Sequence, residues 1–217
     1  MNTLKYPSER EARQMILEIG RRMYGKNFVA ANDGNISCKT AGGEIWITPS
    51  GVSKGFISGD ALVKIRPDGT VLSSGPLPPS SETGMHLRIY KENPGVMGVV
   101  HAHPPAATAF AIARTPLDRM IYPEAIVNLG VVPCAPYAPP GSPGMADSVA
   151  PYCRDYCALL LANHGALTWG GSLMEAYFRM EALEHYAAIL INLAQIGRAG
   201  ELSVEQAEEL IKKREGK

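Results

Sequence analysis

The chain has 217 residues, with 21 Lys+Arg against 21 Asp+Glu and therefore no formal net charge. Such a length buries one substantial core without requiring a second, so residues 1–217 are expected to form a single domain. The even charge gives no electrostatic pull toward nucleic acid or an anionic membrane, which leaves a small molecule as the expected partner.

From the N-terminus, "MNTLKYPSER" lacks the apolar core of a secretory leader. Ser8 with Glu11 forms a capping-box pair, and Ala12, Met15, Ile16, Ile19 and Met23 recur at helical spacing before Gly25, predicting an amphipathic first helix. "GNISCK" (34–39), "EIWIT" (44–48) and "ALVKIRPDGTVL" (61–72) read as short strands, the last a hairpin turning at Pro67, Asp68 and Gly69. Ser80 and Ser81 open a predicted helix through about Lys91, "GVMGVVHAH" (95–103) is a strand, and Pro105 to Ala113 a helix. The proline-rich "PCAPYAPPGSPG" (133–144) reads as a loop, and "CALLLANHG" (157–165) as another strand. A long helix fills Ser172 to Ile196, with Met174, Tyr177, Phe178, Leu183, Ile189 and Leu193 as core or subunit-packing residues. Ser203 and Gln206 cap a final helix. The least polar stretch, Gly95 to Ala113, is broken by two His and two Pro, so no membrane span is expected. Cys38, Cys134, Cys153 and Cys157 are scattered without a CxxC, which suits free thiols and a cytoplasmic location.

Two of the five histidines, His101 and His103, sit one residue apart at the end of an apolar run. On a strand such residues share a face with Cα atoms roughly 6–7 Å apart, so two imidazoles can converge on one ion. His164, at the end of another apolar strand, is a candidate third ligand. Three neutral imidazoles with an open fourth position is the catalytic form of a zinc site, whereas a structural site is closed by four ligands. Spacing alone also fits ordinary core histidines, and His86 and His185, on predicted helices beside apolar neighbours, are read as structural.

A second constellation lies in "PPSSETGMH", where Ser80, Ser81 and Glu82 stand at a helix start and its free N–H groups. Gly34 and Asn35 of "NDGNIS", and Ser50 and Gly51 of "TPSG", can add backbone amides and short polar side chains to the same anion pocket without any Arg. Each turn alone is equally an ordinary turn or cap.

In order, "GN" (34–35), "TPSG" (48–51), "PSSE" (79–82), "HAH" (101–103), "PCAPYA" (133–138) and "NHG" (163–165) resemble the class II aldolase and adducin-head superfamily, most of all its sugar-phosphate aldolases of the L-fuculose phosphate type. The resemblance spans most of the chain. It implies an α/β fold with a mainly antiparallel central sheet flanked by helices, and a homotetramer with active sites between subunits. It implies His101, His103 and His164 as ligands of Zn2+, with Mn2+ or Co2+ possible in its place. It further implies Glu82 as catalytic acid/base, Gly34, Asn35, Ser50, Gly51, Ser80 and Ser81 as the phosphate pocket, and Tyr122 as a tyrosine reaching in from a neighbouring subunit.

The reaction so implied is cleavage of a ketose 1-phosphate, such as L-fuculose 1-phosphate or 5-deoxyribulose 1-phosphate, to dihydroxyacetone phosphate and an aldehyde. Negative charge left as an enediolate calls for a Lewis acid, Glu82 would shuttle a proton at the enediolate carbon, and Tyr122 would serve the C4 hydroxyl. The tail "ELSVEQAEELIKKREGK" lacks the tyrosine that assists the fuculose enzyme, and Glu124 stands where that enzyme is apolar and small. Ribulose-phosphate 4-epimerases carry Asp where this chain has Glu82, and methylthioribulose phosphate dehydratases lack the "SSE" arrangement. A 3-oxo-acid phosphate decarboxylase would use the same enediolate, while a non-enzymatic adducin-like module need not keep the three histidines.

Overall fold

The computed structural model describes residues 6–214 and 216. The first five residues of the N-terminal stretch read for a leader, and residues 215 and 217 of the tail, lie outside them.

Helix α1 (Glu9–Gly25) opens on the capping box: Ser8 Oγ accepts from the Glu11 N–H, and the Glu11 carboxylate accepts from the Ser8 N–H. An antiparallel meander follows, β1 (Asn35–Lys39), β2 (Ile45–Ile47), β3 (Val63–Ile65) and β4 (Val71–Ser73). Next come α2 (Thr83–Glu92), β5 (Gly98–Ala102), α3 (Pro105–Ala113) and α4 (Pro123–Asn128). The chain continues through β6 (Cys134–Ala135), α5 (Pro143–Val149), β7 (Ala158–Leu161), β8 (Gly165–Gly170), α6 (Leu173–Ile196) and α7 (Val204–Arg214). All eight strands join one sheet in the order β4-β3-β2-β1-β5-β8-β7-β6, and only β6 and β7 run parallel. This is the expected α/β architecture, a mainly antiparallel sheet flanked by helices.

Period-two alternation sorts side chains between the two faces of the sheet. Ile36, Cys38, Val100, Ala102, Leu160 and Ala166 pack with α1, α3 and α6, where Ile16, Met23, Tyr177 and Leu183 are buried. Val99, Leu159, Leu161 and Leu167 face the other way, against Met85 and Ile89 of α2 and Met145 and Val149 of α5. Each fully buried aliphatic side chain contributes about 1.5–3 kcal/mol of hydrophobic stabilisation.

Several elements depart from the sequence reading. The strand expected over residues 157–165 is two strands: Asn163, at φ 57°, reverses the chain, and "GALTWG" becomes β8, hydrogen-bonded to β5. Helix α2 starts at Thr83 and not at Ser80, because the Ser80 N–H donates to Thr48 O and Pro79 bridges Pro49, which keeps the chain extended to that point. The proline-rich stretch is a loop only in its middle: it contributes β6, and Ser142 caps α5 with Pro143 in its first turn. Of the residues read as core or subunit-packing, Tyr177 and Leu183 are buried in the core, and Phe178 is 54% exposed on the single chain. All four cysteines are free thiols. No helix among the described residues is long and apolar enough to cross a membrane.

Candidate metal and anion site

The site is built on the pairing of β1 with β5, which sets Asn35 directly opposite His101. The alternation that turns Ile36 and Val100 toward α1, α3 and α6 turns Asn35 and His101 toward α2, whose N-cap is Glu82. His103 follows His101 by two residues, just past the strand, and Pro104 and Pro105 then divert the chain into α3. His164 lies in the tight turn between β7 and β8. Two glycines make room for this convergence. A Cβ on Gly165 would sit 2.5 Å from His103 Cδ2, and one on Gly34, itself at φ 74°, would sit 2.8 Å from the His101 carbonyl oxygen.

The three imidazoles meet with ring centroids 4.7–4.9 Å apart. His101 Nδ1–H donates to Ala166 O at 2.9 Å, which leaves Nε2 as a bare acceptor pointing into the cluster. Asp33 Oδ2, 3.3 Å from His103 Nδ1, favours the same tautomer there. The two Nε2 atoms then face each other at 3.1 Å, an arrangement that an electrophile between their lone pairs stabilises. Two nitrogens each about 2.0–2.1 Å from a tetrahedral zinc stand roughly 3.3 Å apart, so the donor set fits such an ion. The ligating atoms of all three histidines lie within 4.8 Å of one another. Burial, reinforced by the neighbouring imidazoles, holds His101 neutral well below the usual histidine range, and burial also lowers His164.

Glu82 stands beside this cluster, with Oε2 3.3 Å from His101 Nε2 and Oε1 3.4 Å from His164 Nε2. Asn35 Nδ2 donates to Oε2 at 2.8 Å, while Oε1 is buried without a hydrogen bond. Glu82, His103 and His164 line a cavity of about 350 Å³. The same cavity is lined by Gly34, Asn35, Ser50, Gly51, Ser80 and Ser81, so all six residues expected to hold an anion share one space with two of the three candidate metal ligands, while His101 is buried behind them. Larger clefts of about 680 and 710 Å³ lie elsewhere, and neither is lined by these histidines.

Residues 14–191 match the family described as Class II Aldolase and Adducin N-terminal domain. The chain belongs to this family. A 3-oxo-tetronate 4-phosphate decarboxylase of Escherichia coli is 32% identical over 189 residues, covering 85% of this chain and 88% of that protein. An L-fuculose phosphate aldolase of Methanococcus maripaludis is 32% identical over 173 residues, covering 80% of this chain and 92% of that protein. The crystal structure of YgbL from Klebsiella pneumoniae, described as a candidate aldolase/epimerase/decarboxylase, superposes with a TM-score of 0.88 at 29% identity, over 94% of this chain and 99% of that one.

Within this class II aldolase-family chain, one expected site residue stands apart. Tyr122 precedes α4 and packs near His185 and Tyr186, with ring centroids 6.1 and 6.3 Å away, and it does not line the cavity of its own chain. Two further residues belong to the site's surroundings: Lys54, absent from the sequence reading, and His86, read there as structural. Lys54 is buried on the cavity wall, where Nζ donates to Asn32 O and Val52 O at 2.7 Å each; burial lowers its pKa to about 8, against the opposing pull of Asp33 and Glu82. His86 is fully buried and reaches Asn35 Oδ1 at 2.5 Å. The signal for His86 was its spacing from Glu82: four residues along a helix share a face. Lys54 left no such signal, because a lysine between Ser53 and Gly55 reads as a solvated turn residue.

Proposed function

We propose that the chain is a metal-dependent lyase that breaks a carbon–carbon bond beside the carbonyl of a small phosphorylated sugar or sugar acid. What supports this reading above all is a cluster of three converging imidazoles, two of which open with a carboxylate onto one cavity rimmed by Ser and Gly residues. His101, His103 and His164 would hold the ion, zinc first and Mn2+ or Co2+ in its place. Bound there, the ion would supply Lewis-acid charge next to the substrate carbonyl.

The remaining roles fall to the chain's own groups. Ser50, Ser80 and Ser81, with the amides around Gly34 and Gly51, receive the phosphate, and the Lys54 ammonium supplies the positive charge that a rim without Arg otherwise lacks. In retro-aldol cleavage of a ketose 1-phosphate, the C3–C4 bond breaks, the C4 hydroxyl gives up a proton that ends on the Glu82 carboxylate, and an aldehyde leaves. The electron pair stays on C3 as an enediolate, and Glu82 delivers a proton there to give dihydroxyacetone phosphate. Oε1, the oxygen without a hydrogen bond, is the one free to carry that proton. Tyr122 serves the C4 oxygen only if it reaches a neighbouring subunit's cavity, so this role goes together with a homotetramer.

A second reading is favoured by the Escherichia coli decarboxylase, as similar to this chain as the archaeal aldolase. A 3-oxo-tetronate 4-phosphate that loses CO2 leaves its electron pair on C2, and a proton delivered to that carbon again yields dihydroxyacetone phosphate. Both reactions therefore ask the same thing of Glu82. They differ in what departs and in the C4 hydroxyl proton that only the aldol cleavage releases.

The deciding experiment loads the protein with Zn2+, incubates dihydroxyacetone phosphate in D2O with and without a panel of aldehydes, and separately supplies 3-oxo-tetronate 4-phosphate. Deuterium uptake with carbon–carbon bond formation supports the aldolase. Deuterium uptake with CO2 release and no condensation supports the decarboxylase. Absence of all three overturns the lyase reading.

A further inference from the structure

Behind Glu82 lies a line of buried polar side chains that takes no part in the chemistry above. Ser37 and His86 are wholly buried and Asn35 is 2% exposed, so each must find its hydrogen-bond partners within the protein. Their donor and acceptor roles can be assigned by elimination, starting from the carboxylate. Asn35 presents Nδ2 to Glu82 Oε2 at 2.8 Å, and its Oδ1 therefore faces His86 Nε2 at 2.5 Å. That contact requires a proton on Nε2. A neutral imidazole carries one, which leaves Nδ1 to accept from Ser37 Oγ at 2.7 Å. Ser37 has then used its only hydrogen, and its oxygen accepts from the Tyr90 hydroxyl at 2.8 Å. Every donor in the line points from Tyr90 toward Glu82.

We propose that His86 is a positioning residue: through Asn35 it holds Glu82 by Oε2 and leaves Oε1 free for proton transfer. The inference rests on the reading of Glu82 as the proton carrier. Orientation is the role, and not proton conduction, because the amide of Asn35 does not pass a proton from its oxygen to its nitrogen. The direction of the line matters for a specific reason. In the other tautomer His86 Nε2 would need a donor, the Asn35 amide would turn over, and its carbonyl oxygen would oppose the Glu82 carboxylate at the distance where a hydrogen bond now stands. Burial keeps the imidazole neutral, with a pKa lowered to about 3, so the form that donates from both nitrogens is not populated near neutral pH. None of these roles could be assigned from α2 alone, because Asn35 and Ser37 come from the strand packed against it.

The test uses Zn2+-loaded full-length protein, with deuterium uptake by dihydroxyacetone phosphate as the reaction and the imidazole nitrogen shifts of His86 in 15N NMR as a readout independent of turnover. The wild type is expected to show His86 protonated on Nε2. H86L is expected to lower the maximal exchange rate roughly 10- to 100-fold, as losing a group that orients a reacting residue does, with KM for dihydroxyacetone phosphate within about twofold. H86Q, which keeps an N–H for Asn35, is expected to recover most of the rate. S37A leaves His86 in place and guards against a folding defect in H86L; it should populate the other tautomer and lower the rate several-fold. Protonation on Nδ1 in the wild type, or an H86L or S37A protein that exchanges at the wild-type rate, overturns the inference. E82Q separates the two claims. If E82Q is inactive while H86L is normal, only the positioning role falls; if E82Q exchanges normally, or the wild type not at all, the reading of Glu82 and the inference fall together.

Discussion

Two faces of one strand pair behave in opposite ways. Toward α1, α3 and α6, β1 and β5 present Ile36, Cys38, Val100 and Ala102, all without exposed surface, and these residues need only shape and apolarity. Toward α2, the same strands present Asn35, Ser37 and His101, equally buried but polar, and each needs a partner of defined direction. One face stores stability. The other converts burial into orientation, and its ends are the groups that face the cavity.

Substitutions on each face should therefore separate turnover from stability. The largest effect is expected for E82Q, which removes the proposed proton carrier: exchange into dihydroxyacetone phosphate should fall about 10²- to 10⁴-fold, while calorimetric titration with Zn2+ and inorganic phosphate still shows binding. On the apolar face, I36A should cost about 2–5 kcal/mol in urea unfolding, with the exchange rate of the folded protein unchanged. A drop in rate comparable to that of E82Q would break the contrast.

The polar face should reveal itself next through acid. His86 is held near 3 when folded, whereas the unfolded imidazole titrates near 6.5, so between these values the unfolded chain binds the extra proton. Its effect on stability is nil above the unfolded value and grows as pH falls toward 3, by about 1.4 kcal/mol per pH unit. H86Q should lose this share of the slope, which urea unfolding at pH 7 and pH 5 measures directly. An unchanged slope would mean that His86 is not held neutral. The smallest effect is expected for K54M, which should weaken binding of inorganic phosphate roughly tenfold, the low end for loss of a charge-assisted contact, while leaving Zn2+ binding intact.

The sequence exposed those parts of the molecule that obey a local period. The capping box of α1, the hairpin at Pro67 to Gly69 and the long α6 follow from spacing of two or 3.6 residues and from cap chemistry. The HAH pair was visible because i and i+2 on a strand share a face, whatever the strand pairs with. β8 was hidden, since "GALTWG" offers small residues and no clean alternation, and its existence depends on Asn163 turning the chain. α4 and α5 are short; the proline that opens α5 fell in a stretch read as a loop, and the segment that forms α4 drew no reading of its own. Within the site, the long-range contacts were the illegible part: nothing in the chain order says that Asn35 will lie opposite His101 or that Lys54 will be enclosed.

Lys54 clasps the backbone of both rim loops, at Asn32 and at Val52. The two loops are thereby one mechanical piece, and the proposed anion would meet a rim whose shape is set before it arrives, so less ordering entropy would be lost on contact. The same clasp couples their lengths: a residue inserted in either loop would pull its carbonyl off the ammonium, so neither loop can be remodelled without the other.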